Sequence, residues 1–358
     1  MKIALGANAG STGGPSTFAI ELVRGMLEVP GDHEITVLTD RPAAFCDAVR
    51  TVALPMASAW QQPLWDHVSV GRALRRERFD LYHATKGVLP RLLRVPGVVS
   101  IHDLAVNVMP ETFSRAQRLH LLVETASTVR RAGAIITGSR STARDLERFY
   151  PASVGKTDVV PYAPARKLGP PSEDAVEEFK RRFDLAPITI GYLGTMQPRK
   201  NVDLLAHAFR DAAGERPWQL VLAGRMRPGY RPECLSWGDS RVRYLGELDD
   251  EDVSPYLAAL ACMVSPSAYE GFGLTFIEAM AVGCPVIGVA NSSVPEVVGD
   301  AGVLIASADR SALVHAIERV VGDMSYAAEL SRRGVERAAL FSWKQTARAT
   351  LDVYERLL

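Results

Sequence analysis

The sequence predicts an α/β chain made of two doubly wound parallel-sheet domains. Short apolar segments alternate with helical patterns from one end to the other, which is the pattern of parallel strands joined by covering helices. A proline-rich break at Pro161, Pro164, Pro170 and Pro171 interrupts that alternation near the middle. At 358 residues the chain is also too long for one ordinary core. The expected boundaries are 1–165 and 166–342, with a final helical stretch over 343–358.

Taken in order, residues 2–5 read as an apolar strand, followed by a loop bearing Gly6, Gly10, Gly13 and Gly14. A helix over 15–27 follows, with Phe18, Leu22 and Met26 on one stripe. A strand is expected over 34–38, a helix over 60–78, and a strand over 79–83 ending at His83. Another strand over 98–101 ends at His102 and Asp103. A long helix covers 115–131, then comes a strand over 134–137, a helix to Tyr150 capped by Ser141, and a strand at 159–160.

The second half repeats the alternation without residue-level similarity to the first. Strands are expected over 188–193, 220–223, 242–245, 263–264, 286–289 and 303–305. Helices are expected over 203–213, 250–260, 275–282 and 312–321, then over 326–340 and 343–358.

Composition excludes several classes. The 41 basic and 41 acidic side chains balance, which argues against a general nucleic-acid binder. The four cysteines, Cys46, Cys234, Cys262 and Cys284, form no CxxC pair. No secretory signal opens the sequence, and no apolar run approaches the ~18 residues of a membrane span. A cytoplasmic protein with reduced thiols is expected. No HExxH, DxD or EF-hand spacing is present, and no metal site is expected.

Ligands of open α/β sheets bind beyond the carboxyl ends of strands. Those ends carry Gly13, Gly14, His83, His102 and Asp103 in the first half. In the second half they carry the stretch from Gly194 and Thr195 to Arg199, Lys200 and Asn201, then Gly224 and Arg225. The third such stretch is the loop with Glu270, Gly271, Phe272, Gly273 and Leu274. Arg199 and Lys200 stand just before a helix start, where two cations and helix amides suit a diphosphate. Such a dipeptide on a loop is also commonly just solvated. Thr275 followed three residues later by Glu278 fits a capping box, in which Glu278 would serve only the helix start. His83 and His102 also fit satisfied structural histidines. Asp40, just past the second strand, suits a dinucleotide site, but Gly6, Gly10 and Gly13 lack the GxGxxG spacing.

These motifs together resemble those of the retaining glycosyltransferases of the GT-B fold, specifically glycosyltransferase family four (glycosyl transferases group one). The resemblance covers nearly the whole chain. It rests on Glu270 to Leu274 with Glu278 to Ala281, on Gly283 to Val286, on Gly194 to Asn201, on Val294 to Val298, on Ile101 to Asp103, and on Trp60 to Gln62. It implies two Rossmann-like domains facing across a cleft, with the 343–358 helix crossing back to the first. It implies a nucleoside-diphosphate sugar as donor, GDP-mannose first, and no required cofactor or metal. The acceptor would be a hydroxyl of a glycan, a lipid-linked molecule or a small molecule. A lipid-linked acceptor would bring peripheral contact at the inner face of the membrane.

By the same resemblance, Arg199 and Lys200 would bind and neutralise the diphosphate, and Gly194, Thr195 and Gly224 would line the donor site. Glu270 and the amides of Gly271, Phe272, Gly273 and Leu274 would hold the donor sugar, and Glu278 the ribose. His102 would lie against the sugar, while Gly13 and Gly14 would admit the phosphate and acceptor. Three departures stand out: Thr195 where many members carry arginine, Thr275 where proline is common, and Gln197 where an acid is common. Two other readings of such a cleft are a nucleotide-sugar epimerase and a non-catalytic nucleotide-sugar-binding protein. The first needs further acid/base residues that the sequence does not reveal. The joint presence of His102, Arg199, Lys200, Glu270 and Glu278 argues against the second.

Overall fold

A strand that is apolar along its whole length must be covered on both faces, and helices returning over a parallel sheet provide that cover. The computed structural model describes residues 1–8, 14–56, 58, 61–165 and 168–358. It divides into two units, 1–162 with 342–358, and 163–341.

The first unit runs β1 (Lys2–Ala7), α1 (Gly14–Leu27), β2 (Glu34–Thr39), β3 (Arg50–Ala53), α2 (Gln62–Leu64), α3 (Val70–Arg76), β4 (Leu81–Ala84) and β5 (Gly97–Ser100). It continues with α4 (Ala105–Val108), α5 (Arg115–Arg131), β6 (Ala134–Thr137), α6 (Arg140–Phe149) and β7 (Thr157–Val159). Its parallel sheet has the order β3-β2-β1-β4-β5-β6-β7.

The second unit runs α7 (Glu173–Arg182), β8 (Thr189–Leu193), α8 (Val202–Ala213), β9 (Gln219–Ala223), β10 (Val242–Gly246), α9 (Asp250–Ala258), β11 (Cys262–Ser265) and α10 (Leu274–Ala281). Then come β12 (Val286–Val289), α11 (Val294–Val298), β13 (Val303–Ile305), α12 (Arg310–Gly322) and α13 (Met324–Ala338). Its sheet, also parallel, has the order β10-β9-β8-β11-β12-β13. The core gathers Tyr192 and Ile190 of β8, Leu220 and Leu222 of β9, and Val202, Leu205 and Phe209 of α8.

Strand order reverses direction between β1 and β4 in the first unit and between β8 and β11 in the second. At such a reversal the following helices leave to opposite faces and open a crevice at the carboxyl ends of the two strands. In the second unit, Cys262 lies opposite Ile190 and Met263 opposite Gly191, which fixes where the two following loops emerge.

The last helix, α14 (Trp343–Leu357), belongs to the first unit and packs on α1. It buries Trp343, Thr346, Ala347, Thr350, Leu351, Val353 and Tyr354. The Tyr354 hydroxyl lies 2.5 Å from His83 Nδ1, and His83 Nε2 lies 2.8 Å from Ser100 Oγ. Burial drives the His83 ring down to about 3, so it is a neutral histidine of the core.

Several expectations need correction. The edge strand β3 and the helices α4, α7 and α11 escape the sequence reading. Ser139, not Ser141, caps α6, its hydroxyl accepting from the Thr142 amide at 3.0 Å. The helix expected over 60–78 is broken by a π turn at Trp65–Ser69 and ends at Arg76. Trp60 lies outside the described residues. Among the described residues, no helix is long and apolar enough to cross a membrane.

Candidate active site

Two loops leave the reversal point of the second sheet. The first follows β8 through Gly194, Thr195, Met196 and Gln197 into a 3-10 turn at Pro198–Lys200. Asn201 ends that turn in the left-handed region (φ 52°), a conformation asparagine tolerates better than most residues, and α8 begins at the next residue. The second loop follows β11 from Pro266 to Gly273. The loops are stitched together: Asn201 Nδ2 donates to Pro266 O at 2.9 Å, and the Ala268 amide donates to Arg199 O at 2.8 Å.

This stitching brings Arg199, Lys200 and Glu270 into one group. Lys200 Nζ makes a short ion pair with Glu270 Oε1, and an Arg199 Nη1 lies 3.8 Å from Glu270 Oε2. Arg199 also donates to the Tyr269 carbonyl. All three side chains are nearly buried. Burial alone would push the Glu270 carboxyl up. The charges of Lys200 and Arg199 and hydrogen bonds from Lys200 and Ser267 outweigh it, leaving Glu270 below its ordinary range and ionised. Two cations share one carboxylate, so this group of three side chains carries a net positive charge.

The Glu270 backbone is held as firmly. Its amide donates to Ser292 Oγ at 2.9 Å, and Ser293 Oγ donates to its carbonyl at 3.0 Å. Asn291 Nδ2 donates to Ser267 O at 3.0 Å. Ser267, Asn291, Ser292 and Ser293 are absent from the sequence-based site. Residues 291–293 stand just beyond the carboxyl end of β12, so the strand-end rule that found the other loops would have found them.

Gly194 and Gly224 end the adjacent strands β8 and β9. A Cβ on Gly224 would stand 2.3 Å from Gly194 O, and its φ of 117° lies in the region closed to most side chains. Only glycine lets these two turns lie against each other. Met196 then bridges to the neighbouring turn, its amide donating to Arg225 O at 2.8 Å. Thr195 and Gln197 are half-buried in this turn.

Gly271, Phe272 and Gly273 are buried and lead into α10, with Leu274 its first residue. The expected capping box is absent. Gly273 occupies the N-cap with φ 94°, no side chain caps the helix, and Thr275 stands inside it. Glu278 is thereby released from a capping role. It is half-buried, and among the described residues no hydrogen-bond partner is found for its carboxylate. Burial, with a lesser contribution from the charge of Asp250, lifts it to about 8.

In the first unit, His102 follows β5. Its Nε2 lies 2.7 Å from Thr85 O and its Nδ1 2.8 Å from the Tyr162 hydroxyl. Burial lowers its pKa, so the ring is neutral and neither nitrogen is spare. Asp103 Oδ1 accepts from the Ala105 amide at 3.0 Å. Gly14 is exposed as the first residue of α1. Gly13 lies outside the described residues.

Residues 12–163 match the family model described as Glycosyltransferase Family 4, and residues 187–323 match Glycosyl transferases group 1. The chain is 31% identical over 304 residues to the O-antigen chain mannosyltransferase B of Escherichia coli, spanning 80% of this chain and 76% of that protein. It is 30% identical over 305 residues to the MMP alpha-(1->4)-mannosyltransferase of Mycolicibacterium hassiacum, spanning 79% and 72%. Among solved structures it is similar to sucrose-phosphate synthase from Thermosynechococcus elongatus. The TM-score is 0.80 at 24% identity, over 99% of this chain and 98% of that one.

Proposed function

The chain belongs to glycosyltransferase family 4, and from that membership we propose that it moves a mannosyl group from GDP-mannose to an acceptor hydroxyl with retention of configuration. The observation that carries this reading is the Arg199, Lys200 and Glu270 group at the reversal point of the second sheet. The two mannosyltransferase relatives favour mannose as the sugar. The acceptor is a hydroxyl of a glycan, a lipid-linked molecule or a small molecule.

In this reading the reaction breaks the bond between the anomeric carbon and the diphosphate. Charge accumulates on the departing phosphate, and fixed cations in a poorly hydrated crevice stabilise that charge more than they stabilise the bound donor. Arg199 and Lys200 supply those cations. Gly194, Thr195 and Gly224 let the backbone approach the diphosphate. Glu270 is ionised and held at both backbone and side chain, so it accepts from donor-sugar hydroxyls. The buried backbone of Gly271, Phe272, Gly273 and Leu274 shapes the same pocket. Glu278, a neutral acid below about pH 8, donates to one ribose hydroxyl and accepts from the other.

His102 is not the base, because its Nε2–H is committed to the Thr85 carbonyl, its Nδ1 lone pair is occupied by the Tyr162 hydroxyl, and burial disfavours a charged ring. It serves as a wall against the sugar. The acceptor hydroxyl attacks on the face the diphosphate leaves, and the leaving phosphate takes its proton. In the same reading Gly13 and Gly14 admit the phosphate and acceptor. The cations do the charge work, so the reaction proceeds without a metal ion.

The test is incubation of the purified chain with GDP-mannose, UDP-glucose and dTDP-rhamnose, with and without EDTA. Slow release of mannose from GDP-mannose, unchanged by EDTA and α-configured at first appearance by proton NMR, is expected. Lys200→Ala should lower that rate by about 100-fold or more. Release of a C2-epimerised sugar, or binding without turnover of any donor, would sink the proposal.

A further inference from the structure

We propose that Tyr162 is a positioning residue for His102, holding its imidazole in one tautomer and one orientation. Thr85 O can only accept, so His102 Nε2, 2.7 Å away, must carry a hydrogen. In the neutral ring Nδ1 is then an acceptor, and the Tyr162 hydroxyl at 2.8 Å is its donor. Burial raises the Tyr162 phenol and lowers the His102 ring, so both stay neutral and the direction of the hydrogen bond is fixed. A flipped imidazole would lose both bonds at once.

The phenol is itself immobilised. Tyr162 is 2% exposed and stacks on Trp343, with ring centroids 6.3 Å apart and planes 10° from parallel. Phe18 packs against Tyr162 at 4.7 Å, against the edge of His102 at 4.9 Å and against Trp343 at 6.0 Å. Thr346 Oγ1 donates to Pro161 O at 2.7 Å, fixing the backbone one residue earlier. Tyr162 is the last residue of the first unit before the chain leaves it, and Trp343 is the second residue after the chain returns. Both crossings of the chain therefore converge on the side chain that holds His102. A displacement of either crossing would be transmitted to the imidazole through one stacked pair and one hydrogen bond.

The role in turnover rests on the reading that sets His102 against the donor sugar, whereas the hold on the ring does not. Tyr162→Phe keeps the stack and removes the hydroxyl that donates to His102. Nitrogen NMR of the histidine rings in the full chain reads the hold directly. In wild type, His102 is expected as the Nε2–H tautomer with an Nδ1 signal shifted by an accepted hydrogen bond. In Tyr162→Phe that shift should vanish and the His102 titration midpoint should rise, because a bond favouring the neutral ring is lost. With GDP-mannose, kcat should fall about tenfold, with the donor KM within about twofold. Tyr354→Phe is the control. It removes a hydroxyl from another buried histidine of the same unit, His83, and should leave the His102 signals and kcat near wild type. An unchanged His102 spectrum in Tyr162→Phe overturns the inference whatever the activity. An altered spectrum with wild-type turnover overturns both the placement of His102 at the sugar and the role of Tyr162 in the reaction.

Discussion

Glu278 and Glu270 stand eight positions apart, one in α10 and one on the loop before it, yet they carry opposite protonation at neutral pH. The difference lies in their neighbours: Glu270 has two cations in contact, whereas Glu278 has burial and the charge of Asp250 against it. That contrast has a measurable consequence for stability. An unfolded chain releases the Glu278 proton near the ordinary 4.5, and the folded chain keeps it to about 8. Between those values the folded state binds the extra proton, so this group lowers stability as pH rises, and the loss is complete above about 8. Glu278→Gln should remove that dependence. Its stability advantage over wild type, read by denaturant unfolding, should be near zero at about pH 4.5 and grow to about pH 9, where it reaches about 2 kcal/mol after discounting for the side chain's contact with solvent. An advantage that stays flat across that range would show that the carboxyl titrates normally. Glu270 and both cations were legible as residues because each stands on a loop beyond a strand end, whereas Glu278, inside α10, was picked out by its place in the family's motif. Their ion pairing was not legible. Lys200 and Glu270 are 70 positions apart, and only the adjacency of β8 and β11 joins them.

At the scale of elements, the site depends on turns that accept no side chain. Gly224→Ala would drive a Cβ into the Gly194 backbone and strain a residue whose φ is 117°. It should cost about 2–4 kcal/mol, read as a fall in melting temperature with nucleotide binding weakened in step. A fully stable Gly224→Ala would mean the two turns do not lie against each other. The elements that escaped the sequence reading did so for physical reasons. β3 is a short edge strand, RTVA, with no buried residue, so it has no apolar signal to read. α7 follows a Gly-Pro-Pro break and is mostly charged, and only Phe179 is buried along it. The start of α10 was misplaced because Thr275 and Glu278 match a cap pattern in composition. The residue that in fact occupies the cap is Gly273, chosen by its left-handed backbone, and a one-letter string carries no φ. The long alternation of buried strands with helices was readable because its period extends over many residues.

For the whole molecule, the decisive feature is that one unit is continuous in sequence and the other is not. Residues 163–341 form the second unit without interruption, whereas the first is completed only by α14. Removing residues 342–358 strips seven buried side chains from the first unit, including Trp343 and Tyr354, and leaves His83 Nδ1 without its hydrogen-bond partner. Limited proteolysis of such a truncation should digest 1–162 and leave a resistant fragment close to 163–341. Survival of the first unit would show that α14 is an accessory to it.

The same discontinuity orders events on the ribosome. Domains usually fold in the order they are made, N-terminal first, at about 5–20 residues per second of synthesis. Here the segment made first cannot bury the face of α1 or satisfy His83 until residues 343–357 have emerged. Its apolar surface therefore waits through the synthesis of the entire second unit, a delay on the order of 10–40 s. The second unit can finish folding before the unit that precedes it in the chain, and nascent copies should depend on chaperone cover throughout that interval.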